Sequence, residues 1–368
     1  MKKNTSSGKT NSKNKKRAKN KKSRLHLVLF VLLVAVVFAF AYKKGYVYVD
    51  FEEDGTPVFA LNLPSGFEDE SAGAKTVALT SAENPVQAPE ASGTSVSINS
   101  NKPLDESAVP LGEENSSLYF GNPSGAVKDV KASSNYLLEH PQYVMSYNAE
   151  KFIPNWVSWH LAVSDIGDSA RADDFRPDSD IQNIWYAVKK ADYQFNKYGF
   201  DRGHVCPSAD RTSTEQNNSM TFLMTNMIPQ SPDCNRVVWK DLESYERELV
   251  KSGKEVYIIA GPHGVGGESK TGQWNYIEMS NGKKIEVPAY CWKIILVLDE
   301  GEKDIERVTT ETPVIAVYMP NAMGIGKKGS WEQFLVSVDY IEEKTGYDFL
   351  APIPDSIENY IEQKVYSK

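Results

Sequence analysis

Asp201-Arg202-Gly203-His204, followed by Asn226, Gln230, Asn235 and Glu243, is the part of this chain whose residue types and spacing could do chemistry. The two stretches read DRGHVCPSADRT and TNMIPQSPDCNRVVWKDLE. A histidine supplies a neutral base near pH 7. An amide and a carboxylate further on supply hard oxygen ligands of the kind magnesium or manganese takes. Together they can activate a water against a phosphodiester. That reaction needs an in-line nucleophile, neutralised phosphate charge and help for the leaving oxygen. A lone histidine beside a polar helix cap is ordinary core structure, and one motif residue is a weak signal. The whole set carries the reading.

Elements must position these groups. His204 follows Gly203, where the chain can turn sharply, and Asp201 is near enough in sequence to help orient the ring. Residues 235–251 read as a helix with Asn235 as its N-cap and an apolar stripe of Val238, Leu242, Tyr245 and Leu249. Glu243 and Arg247 can pair at i,i+4 on its surface. On a regular helix Asn235 and Glu243 stand about 80° apart round the axis and about 12 Å along it. One of them can ligate a metal directly while the other reaches its hydration shell. Residues 156–163, 220–228, 255–260, 285–288, 292–298 and 313–318 read as strands, and 330–343 as a second helix. Strands mixed with helices, without a regular βαβ repeat, imply an α+β fold.

The ordered series FGNPSGA, NWVSWHL, RADDFRPD, GFDRGH, FLMTNMIPQ and NRVVWKDLE, spread over roughly residues 117–368, resembles the DNA/RNA non-specific endonucleases of the ββα-metal superfamily, which include endonuclease G. The resemblance implies a central antiparallel sheet with helices and a ββα-metal catalytic motif. It implies cleavage of DNA and RNA without strong sequence preference, with one divalent cation, Mg2+ or Mn2+. By the same resemblance His204 is the general base, Asn235 the direct metal ligand, and Glu243 a ligand through water. Arg171 steadies the phosphate, with Arg176 five residues on as the alternative. Arg202 is a structural or phosphate partner, and Asn226 and Gln230 belong to the polar shell of the site. The rival is a cell-surface receptor that binds nucleic acid for uptake without cutting it.

Charge and composition frame this domain. The 368 residues carry a net −8, unevenly spread. Residues 1–24 hold 11 Lys or Arg and no acid, and read as a basic disordered start. Residues 25–42 contain an unbroken apolar run of 16 residues, at the short end of a bilayer span. They are read as a single-pass membrane anchor with the remainder of the chain extracellular, or as a signal segment cleaved near Ala41 to give a secreted protein. Residues 43–116 form an acidic linker rich in Ser, Pro and Ala, with a short strand at 43–55. Residues 115–368 hold 26 basic and 36 acidic side chains, which is not what generic electrostatic binding of nucleic acid predicts, so phosphate must be met by a locally basic groove and a divalent cation.

The remaining candidates are weaker. Cys206, Cys234 and Cys291 are too few and too scattered for a disulfide scaffold or a zinc site, though one bridge stays open. His160 reads as structural, His140 as part of a local turn and His263 as a loop residue. The run Gly261 to Gly267 matches no nucleotide-binding fingerprint.

Overall fold

The computed structural model describes residues 47–51, 57–61, 112–327 and 330–367. The chain divides into two units, Met1–Ser100 and Asn101–Lys368. In the first, Val47–Phe51 pairs antiparallel with Pro57–Leu61, so the short strand expected there is half of a hairpin. The proposed anchor at 25–42 and most of the linker lie outside the described residues, among which no helix is long and apolar enough to cross a membrane.

The second unit is built on a seven-stranded antiparallel sheet. In chain order the strands used below are β1 (Tyr136–His140), β2 (Tyr143–Asn148), β3 (Ile153–Leu161), β4 (Asp201–His204), β5 (Met227–Gln230), β6 (Lys254–His263), β7 (Tyr290–Asp299), β8 (Val314–Pro320) and β9 (Leu335–Val336). The sheet runs β9-β8-β7-β6-β3-β2-β1. Two meanders therefore meet at the β3–β6 pair, with Val157 opposite Ala260 and Leu161 opposite Val256. The long connection between them carries the small β4–β5 hairpin and helix α1 (Lys240–Lys251). That connection carries the ββα unit, on which the residues from Asp201 to Glu243 singled out above lie.

Both faces of the sheet are covered, which is why β7 reads YCWKIILVLD rather than alternating. Ile295 and Val297 face one layer with Trp159, Ile258, Val238, Trp239 and Leu242. Trp292, Ile294 and Leu296 face the other with Val338, Ile341, Phe349 and Ile361. Those last residues belong to helices α2 (Val338–Thr345) and α3 (Asp355–Glu362) and to the loop between them. Each fully buried aliphatic or aromatic side chain contributes about 1.5–3 kcal/mol. One cation sits in the first layer: Lys293 is wholly buried under α1, its Nζ 3.0 Å from Glu246 Oε1 and 4.5 Å from the Trp239 ring centroid. This ion pair fastens the site helix to the sheet.

Several expected elements change form. Residues 220–228 are not one strand: they run from the end of a helix (Glu215–Met220) through a 3-10 turn (Met224–Asn226) into β5. Phe222, Leu223 and Met224 are buried without belonging to a strand, and Met227 and Ile228 are buried within the β4–β5 hairpin. Residues 330–343 are not one helix either. Trp331–Phe334 is a 3-10 turn, Leu335 and Val336 pair with Val317 and Ala316, and α2 starts only after Ser337 accepts a hydrogen bond from the Tyr340 amide. Residues 285–288 give the strand Lys284–Glu286, paired outside the main sheet with Tyr276–Glu278. All three cysteines are free and buried.

Candidate active site

The hairpin register fixes the site. Asp201 stands opposite Gln230 and His204 opposite Met227. Because side chains alternate along a strand, Asp201 and His204 point to opposite faces of β4. The expectation that Asp201 orients the His204 ring is therefore wrong. Asp201 instead holds the start of the site helix. Its Oδ2 accepts from Asn235 Nδ2 at 3.0 Å and from Arg236 Nε at 2.8 Å, and its Oδ1 accepts from Arg236 Nη2 at 2.7 Å. A carboxylate only accepts, so the nitrogen of the Asn235 amide must face it and the carbonyl oxygen must face away. That is the orientation a hard-cation ligand requires.

Asn235 is not the N-cap. Its amide nitrogen already donates to the Ser231 carbonyl at 2.8 Å, and it lies inside a π-helical turn (Cys234–Trp239) that leads into α1. Wide turns of this kind insert one residue into a helix and recur at functional sites. The insertion removes about 100° of rotation, so the separation of about 80° expected between Asn235 and Glu243 becomes about 20° in the other sense. Both side chains therefore share one face of the helix. Glu243 is buried at 5 % exposure.

His204 is buried at 7 % exposure against two aromatic rings that also touch each other: Phe175 with centroids 5.5 Å apart, Phe222 at 4.8 Å, and 5.0 Å between the two phenyl rings. Arg202 stacks over the Phe175 ring, 4.5 Å from its centroid, and Arg171 lies 4.9 Å from that of Phe222. Burial pushes the imidazole well below its ordinary range, and the two guanidiniums push it the same way. The ring is therefore neutral at pH 7. Its Nε2 is buried without a hydrogen-bond partner, as is Arg202 Nε. Arg171 donates to Ser208 Oγ at 2.8 Å, in the loop just after His204. Arg176, the alternative, is turned away: it donates to Asp174 at 2.6 Å and to the Ser219 carbonyl at 2.8 Å.

Asn226 and Gln230, expected in the polar shell, are both completely buried and act on the frame. Asn226 accepts from the Cys206 amide at 2.9 Å and donates to the Cys206 and Thr221 carbonyls at 2.8 and 2.9 Å. Both of its N–H groups and its oxygen are engaged, holding the chain after His204 at Cys206 and tying it to the loop at Thr221. Gln230 packs against Gly203, where a Cβ would come within 2.2 Å of its Oε1, so the glycine is required by this close approach. Sequence reasoning missed Arg236, Asp210 and Arg211. Asp210 is wholly buried, accepting from Trp159 Nε1 at 3.1 Å and Arg247 at 2.9 Å, so it joins the loop, the sheet and α1. Arg211 donates to the carbonyls of Gln142 and His160 at 2.8 and 2.7 Å. Spacing alone could not find these contacts, which cross 35 to 69 residues. The three other histidines among the described residues are structural: His140 meets Asp178 at 3.0 Å at the end of β1 rather than in a turn, His160 meets Glu255 at 3.0 Å, and His263 ends β6.

The family model for DNA/RNA non-specific endonucleases matches residues 121–356. The chain belongs to that family. It is 44 % identical over 267 residues to a nuclease from Nostoc sp., an alignment covering 72 % of this chain and 92 % of that one. It is 31 % identical over 237 residues to the mitochondrial nuclease EXOG of Danio rerio, covering 64 % of each. Among solved structures it resembles EndoG in the EndoG/EndoGI complex, with a TM-score of 0.51 and 25 % identity over 64 % of this chain and 89 % of that one. The α+β fold with its large antiparallel sheet is thus the nuclease fold, and the chain is an endonuclease acting on nucleic acid. The receptor that binds without cutting finds no support in these relatives.

Proposed function

We propose that this endonuclease hydrolyses phosphodiester bonds of DNA and RNA using one divalent cation, with His204 as general base. The observation that carries the reading is the neutral, buried His204, whose unpartnered Nε2 lies among two arginines and two aromatic rings. His204 takes the proton of the attacking water, and Phe175 and Phe222 fix the plane of its ring. Arg171 and Arg202 neutralise the phosphate as negative charge grows on its oxygens. They supply locally the positive field that a domain of net negative charge lacks.

The residues at the head of α1 suit a hard cation. Asp201 turns the carbonyl oxygen of Asn235 outward, and the rotation taken up by the π turn would bring Glu243 to the same helix face. Asn235 would hold the ion directly and Glu243 through water, magnesium being content with few protein ligands. When bound, the ion supplies charge neutralisation and stabilises the leaving oxygen. Residues 25–42 would tether the enzyme to the membrane with the domain outside, or direct its secretion. Supercoiled plasmid and RNA incubated with the full chain and Mg2+, with and without EDTA, test the reading. Nicking of both that EDTA abolishes supports it, and metal-independent cutting contradicts it.

A further inference from the structure

A second group of carboxylates lies on the far side of the sheet from the ββα unit. Asp339 and Glu342 on α2 and Glu362 at the end of α3 each present an oxygen, and the three lie within 4.8 Å of one another. Acidic clusters at protein surfaces are common and need not bind anything. This one differs in a single respect: Glu362 is only 6 % exposed and its Oε1 is buried without a hydrogen-bond partner. A buried carboxyl oxygen with no partner is costly and requires an explanation.

Among the described residues, none of the leading influences on Glu362 comes from a cation. Burial is the largest influence on Glu362 and pushes it up to about 9, and Glu342, Glu358, Asp339 and Asp348 add to the rise. Burial and nearby carboxylates likewise push Glu358 up to about 7. Glu342 spends one oxygen on the Phe349 amide at 2.8 Å, which fixes its carboxylate in place. Chemistry can satisfy such a group with a proton or with a cation shared among its neighbours.

We infer that Asp339, Glu342 and Glu362 form a calcium site that clamps α3 onto α2. Calcium takes oxygen ligands at about 2.3–2.6 Å in flexible geometry and completes its shell with water. Three oxygens within 4.8 Å of one another can reach one such ion, and calcium's flexible geometry makes the fewest demands on how they are arranged. Val338, Ile341 and Ile361, on the inner faces of the same helices, belong to the second core layer, so an ion between α2 and α3 would stabilise the domain rather than touch the reaction. The inference does not depend on the catalytic reading.

The test separates the two sites. In the full chain carrying Asn235→Ala, which removes the proposed catalytic ligand, equilibrium dialysis against calcium chloride should find one ion more than in the Asn235→Ala/Glu362→Gln chain. Calcium at ten times its Kd should raise the Tm of the first by about 3–6 °C and leave the second unmoved. Glutamine copies the shape of a neutral acid, so the double variant should fold without calcium at least as well as its parent. The exposed Asp339→Asn repeats the test if it does not. Equal calcium binding and equal Tm shifts in all three chains, or none in any, would overturn the inference.

Discussion

The Asp201 carboxylate accepts a hydrogen bond from the Asn235 amide nitrogen at 3.0 Å while Arg236 clasps both of its oxygens. The aspartate of the DRGH run therefore holds the start of the site helix, where we propose that the cation binds, and not the base. Asp201→Asn should free Asn235 to turn over, because the new amide can donate as well as accept. We expect the Mg2+ needed for half-maximal cleavage to rise about 10–100-fold, the usual cost of losing a group that orients a ligand. Magnesium titration of the nicking rate checks this. An unchanged requirement would contradict the assignment.

The pH dependence follows from His204. Its pKa lies well below 6.5 because of burial and the two arginines, so the folded enzyme keeps the ring neutral where an unfolded chain would protonate it. As pH falls below 6.5 the unfolded state binds the proton first, and stability is lost on that side. Activity limited by this base should stay flat from pH 8 down through 6.5. A kcat/KM profile that titrates at or above 6.5 would show that His204 is charged in the resting enzyme.

Gly203→Ala tests the frame. Its Cβ would meet Gln230 Oε1 at 2.2 Å and Gln230 Cβ at 2.7 Å, in a completely buried setting. Overpacking of this kind costs about 1–3 kcal/mol. Urea unfolding should show that loss, and a neutral result would mean that Gln230 moves aside freely.

Arg171 and Arg176 should behave differently. Arg171→Ala removes a cation stacked on the ring beside His204 and should slow cleavage at saturating metal. Arg176→Ala should act mainly on stability, since Arg176 is tied to Asp174 and to the Ser219 carbonyl. Steady-state rates at matched folded fraction distinguish the two. A larger rate loss at Arg176 would exchange the assignments.

What was legible in the sequence was chemistry held close together in the chain. His204, Asn235 and Glu243 could be picked out as candidates because a histidine and two oxygen-bearing side chains stand in order beside a helix pattern, and β6, β7 and β8 because their apolar runs are long. The role of Asp201 was hidden, since it depends on which face of β4 each residue takes and on a partner 35 positions away. The π turn was hidden as well: the stripe Val238, Leu242, Tyr245, Leu249 fits a regular helix throughout, and nothing in it marks an inserted residue upstream. Residues 330–343 misled because apolar spacing there serves a turn, an edge strand and a helix in succession.

The central claim is that His204 is the base of a metal-dependent cut. Single-turnover nicking of plasmid by His204→Ala, at saturating Mg2+ and with DNA binding measured in parallel, tests it most directly. A rate lower by about 10²–10⁴-fold with binding nearly unchanged is the predicted result. A near-native rate in that variant would contradict the account.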